Sequence, residues 1–91
     1  MVYIHIRHTV ENYNKWREIY DQHAPARQAG GATDEACVLR NTDNPKEVLL
    51  LLGWNNAVQA RAFTQSTSLK QAMQDGGVVG LPDIRILESA D

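Results

Sequence analysis

Cysteine is almost absent from this chain. Cys37 stands alone among 91 residues, which excludes an internal disulfide framework and fits a reducing compartment. Charge of one sign is lacking too. The net charge is -2, and the nine Lys and Arg are scattered, so nothing forms the basic footprint that nucleic acid or an anionic membrane requires. No apolar run approaches the ~20 residues that span a bilayer. The opening Met1-Val2-Tyr3-Ile4-His5-Ile6-Arg7 is too short and too polar for a signal peptide. A cytoplasmic protein is the expectation. Repeats, low-complexity stretches and linkers are missing as well, and with 43% hydrophobic and 22% charged residues the composition is that of one globular domain, residues 1–91.

What is present is a run of apolar residues, Val48-Leu49-Leu50-Leu51-Leu52-Gly53-Trp54. A strand sends alternate side chains to opposite faces, so an unbroken run needs cover on both sides of its sheet. Two helical regions can shield one face of a small sheet. A second copy of the chain is the simplest cover for the other. A chain this short buries only roughly 60–65% of its unfolded surface, so it gains from association.

Residues 2–8 alternate, with Val2, Ile4 and Ile6 on one side and Tyr3, His5 and Arg7 on the other, which is a strand by period and β-branched content. Thr9 is then placed to cap a helix from Val10 to about Ala24. Tyr13, Trp16, Ile19, Tyr20, His23 and Ala24 share one side of it. Pro25 should end, kink or restart this helix, and Gly30-Gly31 closes the segment. A second strand is expected near Glu35–Asn41, a turn at Thr42-Asp43-Asn44-Pro45-Lys46, and a third strand from about Glu47 to Trp54, making an antiparallel hairpin. The second helical region begins near Asn56 with Val58, Ala62, Leu69 and Met73 on one face. Thr64-Gln65-Ser66-Thr67-Ser68 is poor helix interior and good capping material, so two short helices are expected, the second capped by Ser66 or Ser68. After Gly76-Gly77 and Gly80 comes a last strand, Ile84–Glu88. The order β-α-β-β-α-β with right-handed crossovers predicts an α+β, ferredoxin-like fold: a four-stranded antiparallel sheet with helices on one face.

Several segments look familiar. Arg7-His8-Thr9-Val10 precedes an aromatic-rich helix, Trp54-Asn55-Asn56 ends the third strand, and Ala62-Phe63-Thr64-Gln65-Ser66 leads to Leu69 and Ala72-Met73. Together they resemble the dimeric α/β-barrel superfamily, in particular its antibiotic-biosynthesis-monooxygenase-like branch. The resemblance implies a homodimer whose two sheets form a barrel, with a ligand cleft between each sheet and its own helices. Relatives include monooxygenases of aromatic polyketides that need neither metal nor flavin, and haem-degrading enzymes. The haem-degrading relatives carry Asn, Trp and His where this chain has Arg7, Phe63 and Met73, so the resemblance does not carry haem oxidation.

Under the superfamily geometry Tyr3, His5 and Arg7 would look toward the cleft. A His beside an Arg is held toward its neutral form and suits a general base; the alternative is a hydrogen-bonded sheet histidine. His23, on the apolar side with Trp16 and Tyr20, is either part of a site for a flat ligand or a core residue near a helix end. Arg27 would join that side only if the helical phase survived Pro25, which is not expected. His5, Arg7 and His23 are thus the candidate catalytic residues. Tyr3, Trp16, Tyr20, Trp54 and Phe63 are candidate ligand contacts, although Trp54 at a strand end also reads as a packing anchor. No metal or other cofactor is expected: His5 and His8 are three apart on a strand and point to opposite faces, and His23 has Ala26 and Arg27 at the helical ligand spacings. Cys37, mid-strand, reads as an inert buried thiol, and no GxSxG elbow or phosphate loop is present. The expectation is a cofactor-less oxygenase acting on a small aromatic molecule, or a non-catalytic dimeric binding or stress-related module with the same cleft.

Overall fold

Alternation of β-branched residues carries the first strand, β1, from Val2 to Val10, two residues beyond the sequence expectation. The structure, a computed structural model, describes residues 1–91. Thr9 therefore lies in a strand, and the helix cap is Asn12, whose side chain accepts the Lys15 N–H at 3.1 Å. An Asn cap satisfies one of the orphan donors of the first turn. Helix α1 runs Tyr13–Gln22, and α2 restarts at Ala24–Ala29. Pro25 sits in the first turn of α2, where its missing N–H costs nothing. Gly31 then takes φ 113, a backbone shape open to glycine, and turns the chain into the sheet.

Strands β2 (Ala32–Asn41) and β3 (Asn44–Trp54) form the expected hairpin. The Asn41 side chain accepts the Asp43 N–H at 2.8 Å and shapes its turn. Helix α3 (Ala57–Thr64) is capped by Asn56, and α4 (Thr67–Asp75) by Ser66. Strand β4 (Val78–Glu88) closes the chain. It begins six residues before the expected start because Val78 and Val79 already pair with β1.

The sheet order is β2-β3-β1-β4, antiparallel throughout, so the fold is ferredoxin-like with β1 and β3 central. Directly paired residues share a face. Ile4, Ile6 and His8 pair with Leu52, Leu50 and Val48, and these apolar residues enter one core with Trp16, Ala60, Phe63 and Leu69 from the helices. Each large aliphatic residue buried there stabilises by roughly 1.5–3 kcal/mol. Val58 is 78% exposed, so α3 turns Ala60 and Phe63 inward rather than Val58 and Ala62. On the opposite face, His5 pairs with Leu51 and Arg7 with Leu49. Leu39, Leu51 and Leu87 are exposed there, and no helix covers them. Cys37 pairs with Leu51 on this same face and is exposed, not buried.

Candidate functional site

A cavity of about 40 Å³ lies between the sheet and the helices. Ile6 and His8 of β1 and Leu50 and Leu52 of β3 form its floor. Trp16, Ile19 and Tyr20 of α1 form one wall, and Phe63 of α3 with Leu69, Ala72 and Met73 of α4 the other. His23 and Arg27, at the α1–α2 junction, complete the lining, so with His8 it holds two imidazoles and one guanidinium amid apolar groups. A space of this size holds one or a few waters. It adjoins an open groove of about 290 Å³ between α1 and α4, walled by Gln22, Ser68, Gln71 and Asp75. Ile19, His23 and Ala72 border both spaces. Across the boundary His23 Nε2 and Ser68 Oγ are 2.7 Å apart, a hydrogen bond joining the end of α1 to the start of α4.

His8 is the most informative group here. It is only 5% exposed, and its Nδ1 lies 3.0 Å from the Val48 carbonyl. A carbonyl only accepts, so Nδ1 carries the proton. Burial lowers the His8 pKa against the smaller opposing effect of that hydrogen bond, which favours the neutral ring. The neutral tautomer with Nδ1–H leaves the Nε2 lone pair without a hydrogen-bond partner in the chain, on a residue that lines the cavity. The ring is held edge-on to Trp16 at 5.5 Å between centroids. A fixed, neutral imidazole with an unpartnered nitrogen is able to accept a proton.

The wall opposite is aromatic. Trp16 stacks on Tyr20 at 5.1 Å with 23° between planes. The Arg27 guanidinium sits 3.8 Å from the Tyr20 ring centroid, and its Nη1 donates to the Tyr20 carbonyl at 2.7 Å. His23 lies 5.8 Å from the Phe63 ring, which in turn packs 4.6 Å from Trp54. Burial first, and the Arg27 charge second, lower the His23 pKa. No three His, Cys, Asp or Glu side chains converge as a metal site would require, and no helix is long and apolar enough to cross a membrane.

No protein-family model matches the chain, and no curated protein matches it significantly in sequence. Solved structures do match in shape. A Bordetella bronchiseptica protein classed with the antibiotic biosynthesis monooxygenases superposes with a TM-score of 0.81 at 13% identity, over 98% of this chain and 96% of that one. SnoaB, a cofactor-independent oxygenase from Streptomyces nogalater, gives 0.78 at 12% identity over 99% and 93%. A Caulobacter crescentus protein of the same class gives 0.75 at 12% over 99% and 90%. The chain shares the fold of these three proteins.

Within that fold, the residues expected from sequence divide in two. Trp16, Tyr20, His23 and Phe63 do border one cavity. Tyr3, His5 and Arg7 do not: they lie across the sheet from Trp16, on the face without helices. The reason is burial. β1 turns Ile4 and Ile6 to the helices, and its alternation then sends Tyr3, His5 and Arg7 the other way. There the Tyr3 hydroxyl donates to Glu35 at 3.1 Å, a bond that raises its pKa, and Arg7 pairs with Glu47 at 3.3 Å. Trp54 is 1% exposed. It stands behind Phe63 and donates its indole N–H to the Gly30 carbonyl at 2.9 Å, so it anchors the α2–β2 turn and does not line the cavity. The two residues missed are His8 and Arg27. His8 extends the Ile4–Ile6 alternation by one step, a signal hidden by assigning Thr9 to a helix cap. Arg27 was set aside on the expectation that Pro25 breaks the phase; α2 restarts there and returns Arg27 over Tyr20.

Proposed function

We propose that the cleft binds a flat, partly apolar aromatic molecule and that His8 takes a proton from it to begin a cofactor-independent oxygenation. One observation carries this: a buried histidine whose hydrogen bond to Val48 leaves Nε2 as a free base in an aromatic-walled cavity. The similarity to SnoaB in shape supports the same reading. An acidic ring methylene would give its proton to Nε2, and the resulting carbanion would reduce O₂ to a carbon-bound peroxide. The peroxide regains the proton. Loss of the second C–H proton and cleavage of the O–O bond then give a carbonyl and water, so the four electrons leaving carbon are those that O₂ accepts. Arg27, on the opposite wall, is placed to stabilise negative charge on the substrate oxygen. The enclosed space is smaller than an aromatic ring, so the ring would enter from the α1–α4 groove, with the His23–Ser68 hydrogen bond parting to join the two spaces.

The test is oxygen uptake with anthrone, compared with a protein-free control. The wild type should accelerate uptake and His8→Leu should not. Equal rates for the two proteins would exclude His8 as the base. The small enclosed volume favours a second reading, a non-catalytic module that holds a small ligand. No acceleration by the wild type, with saturable binding of aromatic probes, would select it.

We also infer that a second copy of the chain covers the open sheet face, giving a homodimer. Leu39, Leu51 and Leu87 expose apolar surface there, flanked by charged Arg7, Asp83 and Arg85, and an interface core of this kind with a polar rim is ordinary.

A further inference from the structure

We propose that the cleft selects aromatic ligands carrying a carboxylate, and that Arg27 is the residue that recognises it. The inference rests on the reading of the cleft as an aromatic binding site, and it adds the charge of the ligand. Arg27 is a half-buried cation held in no ion pair, although the Asp21 carboxylate acts on it at longer range. The three ion pairs of the chain join Arg7 to Glu47, Arg17 to Asp21 and Arg85 to Asp83, and none involves Arg27. No buried side-chain nitrogen of the chain lacks a hydrogen-bond partner, so the N–H groups that Arg27 does not use internally reach solvent, where a ligand carboxylate can replace water. Its position is set rather than floppy, because Nη1 donates to the Tyr20 carbonyl and the plane rests near the Tyr20 ring. The chain supplies no acceptor for its remaining N–H groups, so that part of the fork is free to bind a carboxylate.

The surroundings agree on sign and shape. No acidic side chain lines the cavity; the other polar groups are His8 and His23. A second cation, Arg17, stands 5.4 Å from the same Tyr20 ring, although Asp21 partly neutralises it at 3.1 Å. Asp75, the acidic group of the outer groove, accepts a hydrogen bond from Gln71 at 3.0 Å. The partly exposed Tyr20 ring, backed by the buried Trp16, offers aromatic surface beside the guanidinium. A carboxylate on a ring satisfies both at once, the ring on the aromatic wall and the oxygens on the fork.

Binding of 2-naphthoate and of its neutral analogue 2-naphthalenemethanol to the full chain tests this, read by titration calorimetry. Neither probe has an acidic ring methylene, so the result does not depend on turnover, and a failed oxygen-uptake experiment leaves it standing. The wild type should bind naphthoate at least tenfold more tightly than the alcohol. Arg27→Met should weaken naphthoate about tenfold and change the alcohol by less than about twofold. If Arg27→Met does not fold, as judged by circular dichroism, Arg27→Gln takes its place with the same expectation. Equal affinities in the wild type, a preference that survives loss of the guanidinium, or no saturable naphthoate binding at millimolar concentration would each overturn the proposal.

Discussion

Replacing His8 by Leu separates the electrostatic from the packing role of this residue. At pH 7.5 the wild-type ring is neutral, buried and bonded to the Val48 carbonyl. Leucine forfeits that bond and leaves a buried carbonyl without its imidazole partner, costing about 1–3 kcal/mol. It returns a similar amount by burying an apolar side chain in the same place. The net change at pH 7.5 should stay within about 2 kcal/mol. Acidification then distinguishes the two proteins. The folded-state pKa of His8 is lowered, so the unfolded chain binds its proton first, near pH 6.5. The stability linked to neutral His8 is full above that pH and is lost as pH falls through the lowered folded value. The loss cannot exceed about 1.4 kcal/mol per pH unit, or about 2 kcal/mol by pH 5. His8→Leu lacks this component and keeps only that of His23, whose pKa is lowered in the same direction. Urea unfolding of both proteins at pH 7.5, 6.5 and 5.0 should therefore show the variant losing less stability than the wild type as the pH drops. Parallel profiles would refute the assignment of a buried, neutral His8, and with it the basic Nε2.

Three further outcomes are expected. Leu51→Asp places a charge on the open sheet face opposite His5 and should convert a dimer to monomer in sedimentation at micromolar concentration; a monomeric wild type would remove the basis for the homodimer. Phe63→Ala removes a ring that is 6% exposed and packed against Trp54 and His23, and should cost about 3–5 kcal/mol in denaturant unfolding; a loss below 1 kcal/mol would mean the cavity wall collapses freely. Haemin with a reductant should lose no Soret absorbance beyond a protein-free control, because the position of the haem ligand's His is Met73; stoichiometric bilin formation would show that the resemblance had been aligned wrongly.

Local periodicity in the chain was enough to place the elements. The alternation of residues 2–8, the unbroken run ending at Trp54, the helical period from Asn56 and the capping stretch around Ser66 gave βαββαβ in order, because hydrophobic period and capping chemistry are properties of neighbouring residues. The same run foretold an open sheet face, since two helices cannot cover both sides. Which face of β1 the helices would take was also within reach: Ile4 and Ile6 lose more by exposure than Tyr3, His5 and Arg7, and burial decided accordingly. The family resemblance pointed the other way and put the candidate base of this strand at His5.

Other features required the folded chain. Whether Pro25 breaks or restarts a helix depends on what packs against the next turn, so Arg27 could be placed over Tyr20 only in three dimensions. The tautomer of His8 depends on a carbonyl 40 residues away at Val48, and its lowered pKa on burial contributed by Trp16 and β3. Sequence determines which residues repeat with which period; the chemistry of the cleft arises where distant segments exclude water together, and only the tertiary structure decides that.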